Sequence, residues 1–412
     1  MPAAADLPIP MRALLAGARR KQPAMLNLIR RLVRAESPSD DKAAVDACVV
    51  LAAAYARGLG GRVKLHRSTA ADGFGDVLEA RFGPKSSEVS EGKAAKGDRS
   101  AERGILLLGH LDTVWPMGTL KTIPCRLAEG RLWGPGVLDM KAGVGMGFAA
   151  IEMLIEAGVL GREVVLLLTG DEEAGSPVSR PVIERLASEC AAVYVLEPAQ
   201  GLACKTARKG TGNWRIDVTG VAAHAGVDFE KGANAIRELA RVVETVSGWT
   251  DLKRGLTVSV GLAGGGSKTN VIPAAAWAEV DVRIARKGDG ERIARKFAAL
   301  KPIDQRCRLT VTGGVNRPPM ERTRSTVRLY RQARALAAEL GFVLEEASTG
   351  GASDGNFTSA LGIPTLDGMG AVGEGAHAGD ESIVIEHLAP RTALLAGMMA
   401  GCHPVGSPDT LP

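Results

Sequence analysis

The chain has 412 residues, 45% hydrophobic and 24% charged, with a net charge of +5. This balance is ordinary for a water-soluble globular protein, and the length is too great for one hydrophobic core. Aromatic residues make up only 4% and no basic block interleaves with them, which argues against nucleic-acid binding.

The N-terminal MPAAADLPIPMRALLAGARRKQPAML lacks an apolar core followed by a cleavage site, and no stretch approaches the length of a membrane span. The expected address is therefore the cytoplasm, or the periplasm if a leader has been removed, with no membrane partner. Cys48, Cys125, Cys190, Cys204, Cys307 and Cys402 form no CxxC pair or dense framework and read as reduced thiols.

Helical spacing runs from about Met11 to Val33 and from Asp41 to Arg57, with Ser39 and Asp40 as expected caps of the second helix. Strands are expected near Arg62–His66 and Asp76–Phe82. The polar segment PKSSEVSEGKAAKGDRSAER then reads as a mobile surface loop. GILLLGHLDTV follows as a buried strand. Met140–Ala157 is a helix whose Gly143, Gly145 and Gly147 weaken it unless close packing demands small residues. Val164–Thr169 is an unbroken apolar run, the pattern of a strand buried on both faces. A helix over Val178–Ser188 and a strand over Ala192–Leu196 complete a strand–helix alternation. That alternation predicts an α/β fold: a mostly parallel sheet with helices on both faces.

The pattern changes near residue 211. Strand, helix, two strands, helix and strand follow between Trp214 and about Thr312, the β-α-β-β-α-β order of a ferredoxin-like α+β unit. The tail from Thr326 returns to α/β character. The expected domains are residues 1–211 and 319–412 as one discontinuous catalytic domain, with 212–318 inserted.

The chemistry concentrates after the strands. Asp171, Glu172 and Glu173 place three carboxylates at the end of the Val164–Thr169 run, where open α/β sheets bind ligands. Adjacent like charges need a cation or a shared proton. In GHLDTV, His110 and Asp112 stand two apart on one strand, a spacing that suits a metal-ligating imidazole with a carboxylate fixing its other nitrogen. Asp139, Glu173, Glu197 and His377 also sit at strand ends or in glycine-rich loops. Two imidazoles and three carboxylates can hold two divalent ions, with zinc the best match and cobalt or manganese fitting the same donors. GLAGGGSKT is not a phosphate-binding loop, because Ser267 stands where a glycine should precede the lysine.

The ordered set GHLDTVWPMG, GPGVLDMKAG, TGDEEAGS, LEP, VAAHAG, NVIP…DVR and GEGAHAGDE resembles the M20 family of dinuclear zinc peptidases and amidohydrolases, in particular its glutamate carboxypeptidase (carboxypeptidase G2-like) branch. The resemblance spans almost the whole chain. It implies that Asp139 bridges two Zn2+ ions, that His110 and Glu197 complete one site, and that Glu173 and His377 complete the other. It further implies a cis peptide after Asp139, Asp112 as the orienter of His110, and Glu172 as the general base acting on a dizinc-bound hydroxide. His224 matches a histidine of the inserted lid domain that stabilises the oxyanion across a homodimer.

Arg283 and Asn270 resemble positions that hold the substrate's carboxylate. Arg208 or Lys209 would add positive charge, and Ser353 and Asp354 lie in the glycine-rich pocket loop GGASDGN. The implied substrate is a small peptide or N-acyl amino acid ending in glutamate or aspartate. An acetylornithine- or succinyl-diaminopimelate-type deacylase and a catalytically silent carboxylate-binding protein are the alternatives. Met140 and Ala142 depart from the residues common in relatives, so the branch stays open.

Overall fold

The computed structural model describes residues 7–84 and 103–401. Most of the polar segment expected as a loop, and Cys402, lie outside the described residues. The chain divides into two compact units: Met1–Thr206 with Arg322–Ser348 and Ser353–Pro412, and Ala207–Glu321 with Thr349–Ala352.

The first unit is built on a six-stranded sheet in the order Arg62–His66, Val77–Phe82, Val164–Thr169, Gly104–His110, Cys190–Val195, Thr365–Leu366. The last four strands pair in parallel, and the first two join antiparallel at one edge. Alternate residues of each strand point to opposite faces, and both faces are covered. Ile105, Leu107, Leu166 and Tyr194 pack with the helices Met11–Arg34, Ala142–Glu156 and Leu388–Ala400. Leu106, Leu108, Leu167 and Val193 pack with Ile183, Leu186 and Phe357 from the opposite side. Each leucine so enclosed contributes about 1.5–3 kcal/mol.

Three local features position the functional loops. The glycine-rich helix face is explained by close approach: a Cβ at Gly143 would lie 2.0 Å from the Leu196 carbonyl oxygen, and one at Gly145 would lie 2.5 Å from Ile29. The start of that helix, just after Asp139, is thereby pressed against the strand end that carries Glu197. The second helix is capped by Asp41, whose carboxylate accepts the Ala44 N–H, rather than by Ser39 or Asp40. A small antiparallel sheet of Gly373–Glu374, Ser382–Val384, Arg131–Trp133 and Arg126–Ala128 ties the chain around His377 to the chain before Asp139. Sequence periodicity does not reveal it, because strands of two or three residues hold too few alternations.

The second unit holds four antiparallel strands in the order Thr257–Gly265, Ala275–Ile284, Gly210–Thr219, Arg308–Arg317. The helices Ala235–Ser247 and Lys287–Ala298 cover one face around Trp214, Ile216, Val280, Val282 and Phe297. This is the β-α-β-β-α-β order expected. GLAGGGSKT runs out of a strand into a hairpin, so no helix N-terminus follows it.

Candidate metal centre

His110 is the last residue of a fully buried strand, and its ring is 1% exposed. Its Nδ1 lies 2.9 Å from the main-chain oxygen of Asp112. A carbonyl only accepts, so Nδ1 carries a proton, and Nε2 is the nitrogen left to face a metal or a second proton. The orienting contact is thus made first by the Asp112 carbonyl, with the Asp112 carboxylate 3.5 Å away. That carboxylate has a second task. Its Oδ1 accepts the Glu172 N–H at 3.2 Å, and its Oδ2 accepts the Glu173 N–H at 3.1 Å and the Ser39 hydroxyl at 2.7 Å. Ser39 therefore serves this buried carboxylate rather than a helix end.

Around His110 Nε2 the acidic groups gather as expected. Asp139 Oδ1 is 3.1 Å away and Glu197 Oε1 is 3.7 Å away. The other Asp139 oxygen, Oδ2, lies 3.3 Å from His377 Nε2, which is 3.2 Å from Glu173 Oε1. Two donor sets, His110–Asp139–Glu197 and Asp139–Glu173–His377, therefore share one carboxylate, each with its ligand atoms within 4.8 Å of one another. Two ligands on one tetrahedral zinc, each about 2.0–2.1 Å from it, stand about 3.3 Å apart. The separations of 3.1–3.7 Å match the edges of such a tetrahedron. The donor set fits a pair of divalent ions.

Charge tells the same story. Asp139 and Glu173 hold the His377 imidazolium, raising its pKa to about 10. For His110, burial disfavours the cation, but Asp112 and Asp139 outweigh it and the pKa rises well above the ordinary value. Burial would raise Asp139, yet its bonds to His110 and His377 drive it below the usual carboxylate range. The carboxylates attract cations, and protons fill that role where a metal is lacking.

Glu172 is 8% exposed and belongs to neither set that shares Asp139. The Asp139–Met140 peptide is cis, as expected. His377 adopts a left-handed backbone (φ 62°), unusual for a residue with a side chain.

The second unit brings some of its expected residues together and separates others. His224 bridges Val271, and the Ala225 N–H donates to the Asn270 carbonyl at 3.0 Å, so the His224 and Asn270 turns are neighbours. His224 Nδ1 accepts the N–H groups of Gly226 and Val227 at 3.1 and 3.2 Å. The proton of the neutral ring therefore sits on Nε2, which makes that nitrogen a donor.

Arg283 lies near the end of the strand Ala275–Ile284 that is remote from Asn270, about 27 Å along that strand from Ala275 at about 3.4 Å per residue. Within one unit the two residues therefore stand well apart. Arg283 instead stands opposite Thr211, whose other neighbour is Arg317, placing two arginines on one row of the sheet. Arg317 was passed over in the sequence because its VNRPP context shows no periodic or paired signal. Arg283 Nε donates to Asp281 at 2.9 Å.

Two further expectations change character. Arg208 is 4% exposed and donates to the carbonyls of Gly351 and Ala352, so it holds the glycine-rich loop. Ser353 is fully buried, and its hydroxyl donates to Asp367 at 2.6 Å and accepts the Gly355 N–H at 3.1 Å. A hydroxyl so enclosed shapes the loop. Asp354 is likewise buried, accepting from Thr169 at 3.2 Å and from Ser176.

Sequence reasoning missed Glu381. Its fully buried carboxylate accepts the N–H groups of Gly136 (2.7 Å), Leu138 (2.8 Å) and Asp139 (3.0 Å) and the Trp115 indole N–H (2.8 Å). Burial still raises its pKa. Its only sequence signal is its place at the end of GEGAHAGDE.

The model of Peptidase family M20/M25/M40 matches residues 106–401. Carboxypeptidase G2 of Pseudomonas sp. (strain RS-16) is 28% identical over 393 residues, covering 92% of this chain and 89% of that protein. A succinyl-diaminopimelate desuccinylase of Cereibacter sphaeroides is 29% identical over 331 residues, covering 72% and 83%. Among solved structures, aminopeptidase PepT from Bacillus cereus has a TM-score of 0.74 at 22% identity, covering 92% of this chain and 98% of that one. An M20 family metallo-carboxypeptidase from Sulfolobus solfataricus has a TM-score of 0.67 at 16% identity, covering 91% and 98%. Among the described residues no helix is long and apolar enough to cross a membrane.

Proposed function

The chain belongs to peptidase family M20/M25/M40, whose members are metallopeptidases and amidohydrolases, and we propose that it cleaves an amide bond next to a free carboxylate, releasing C-terminal glutamate or aspartate from a small peptide or N-acyl conjugate. The observation that carries this reading is the Asp139 carboxylate, which presents one oxygen to each of two imidazoles. His110, Asp139 and Glu197 would hold one zinc ion, and Asp139, Glu173 and His377 the other. When bound, such a pair supplies Lewis acidity to the scissile carbonyl and to the attacking water.

The chain's own groups do the rest. Glu172 takes a proton from the attacking water and delivers it to the leaving amine nitrogen. Asp112 holds Glu172 and Glu173 in place through their N–H groups while its carbonyl keeps the His110 proton on Nδ1. His224, with its proton on Nε2, donates to the carbonyl oxygen as negative charge develops there. Arg283 and Arg317, about 10 Å apart across Thr211 at ordinary strand spacing, are suited to the terminal carboxylate. Asn270, beside His224, is likewise proposed to hold the substrate's carboxylate.

Assembly is proposed as a homodimer through the inserted unit. Val227, Phe229 and Leu262 there are 77%, 64% and 57% exposed, apolar side chains that a partner unit could cover.

A second reading, removal of an N-acyl group from an amino acid, is favoured by the 29% identity to desuccinylases. A silent binding protein is disfavoured because it would need no Glu172. The test is a screen of zinc-loaded protein against acidic dipeptides, N-acyl glutamates and N-acetyl or N-succinyl basic amino acids. Release of glutamate or aspartate by wild type, lost in Glu172→Gln at unchanged metal content, supports the proposal. Turnover confined to acylated basic amino acids moves the assignment to the deacylase, and undiminished turnover in Glu172→Gln removes the base.

A further inference from the structure

The helix Leu388–Ala400 reads LAPRTALLAGMMA, and Arg391 is its one charged residue. The side chain is 1% exposed, among the largest fully buried groups of the protein. It forms no ion pair among the described residues. Its guanidinium donates only to main-chain carbonyls: Nε to Gly370 at 2.7 Å, Nη2 to Gly368 at 2.5 Å and Nη1 to Leu202 at 3.2 Å. An unpaired cation in an apolar interior is strongly unfavourable unless its donors are satisfied. A structure that keeps one uses its rigid, planar fork for something a neutral side chain cannot do.

What the fork joins is the main chain on both sides of Glu197. Met369 and Gly370 donate their N–H groups to the Val195 and Glu197 carbonyls at 3.0 and 2.9 Å, and Ala199 N–H donates to Ala371 at 2.9 Å. The two segments are in such close contact that a Cβ at Gly370 would lie 2.1 Å from the Leu196 oxygen. The third carbonyl, from Leu202, belongs to the turn that follows Glu197. Arg391 thus bonds the loop alongside Glu197 and the turn beyond it, leaving that residue little freedom to shift.

We infer that Arg391 is a positioning residue for Glu197, holding its carboxylate at the His110–Asp139 site through three carbonyl bonds and not through any contact with substrate or ion. The inference rests on Glu197 being a metal ligand. Lysine keeps the charge but cannot span three carbonyls; methionine keeps the bulk and leaves all three without a donor.

The test is zinc titration of chelator-stripped protein against a chromophoric competitor, in wild type, Arg391→Lys, Arg391→Met, Glu197→Gln and the Arg391→Lys/Glu197→Gln double variant. Wild type binds two equivalents. In Arg391→Lys one equivalent weakens by about 10–100-fold, the usual effect of removing support behind a ligand, while the other is unchanged. The double variant binds no more weakly than Glu197→Gln alone, because the arginine acts through that carboxylate. Equal weakening of both equivalents, unchanged binding, an additive double variant, or failure of both arginine variants to fold would each overturn the inference. Fewer than two equivalents in wild type would overturn the metal reading itself, and the inference with it.

Discussion

Glu381 accepts the main-chain N–H of Asp139 at 3.0 Å, and the same carboxylate oxygen takes the Leu138 N–H at 2.8 Å. A buried anion with four N–H donors and no salt-bridge partner among the described residues holds the loop that presents Asp139. Removing it leaves those donors without an acceptor, each costing about 1–3 kcal/mol.

Glu381→Gln puts an amide NH2 against N–H donors. The expected result is folded protein whose zinc affinity is about 10–100-fold lower, read by equilibrium dialysis. Unchanged affinity would show that the loop holds itself.

Substrate recognition makes a kinetic prediction. Arg283→Ala removes a charge-assisted contact worth about 1.5–3 kcal/mol to a terminal carboxylate, so KM rises roughly 10–100-fold with kcat little changed. An equal change toward substrates lacking that carboxylate would place Arg283 in a structural pair with Asp281.

Removing the ions leaves Asp139, Glu172, Glu173 and Glu197 with only the His110 and His377 rings and bound protons as compensation. Ligand present at a hundred times its Kd stabilises the folded state by about 2.7 kcal/mol. Chelation should therefore lower Tm by roughly 3 °C per ion, recoverable with zinc and measurable by calorimetry.

Asp76 offers a pH test of the scaffold. Burial works against its charge, but Lys42 at 2.9 Å, the Ser68 N–H at 3.0 Å and Arg67 at 2.5 Å hold its pKa below the ordinary aspartate value. A depressed folded-state pKa gives stability that is present above the unfolded value, about 3.9, and is lost as pH falls through the folded value. The stability gap between wild type and Asp76→Asn should be constant near neutrality and shrink below about pH 4. A gap independent of pH in denaturant melts would contradict this.

The cluster of proposed ligands was legible in the sequence because each member ends a strand or occupies a glycine-rich loop within a contiguous motif. His110, Asp139, Glu173, Glu197 and His377 needed no knowledge of packing. Glu381 and Arg391 were not legible for a shared reason. Their partners are main-chain groups, which every residue has, so no complementary side chain marks them. The enclosure of Ser353 was not legible, because a hydroxyl in a loop looks available until burial is known. Motif order does not show that most of the strand Ala275–Ile284 lies between Asn270 and Arg283. The helical glycines were legible as a problem, and the Leu196 carbonyl against Gly143 supplied its answer.

Anomalous diffraction at the zinc edge from zinc-loaded crystals tests the central claim most directly. The expected map has two peaks about 3.5–4 Å apart on either side of the Asp139 carboxylate, one toward His110 and Glu197, the other toward Glu173 and His377. A single peak, or peaks that leave Asp139 without a metal contact, would contradict it.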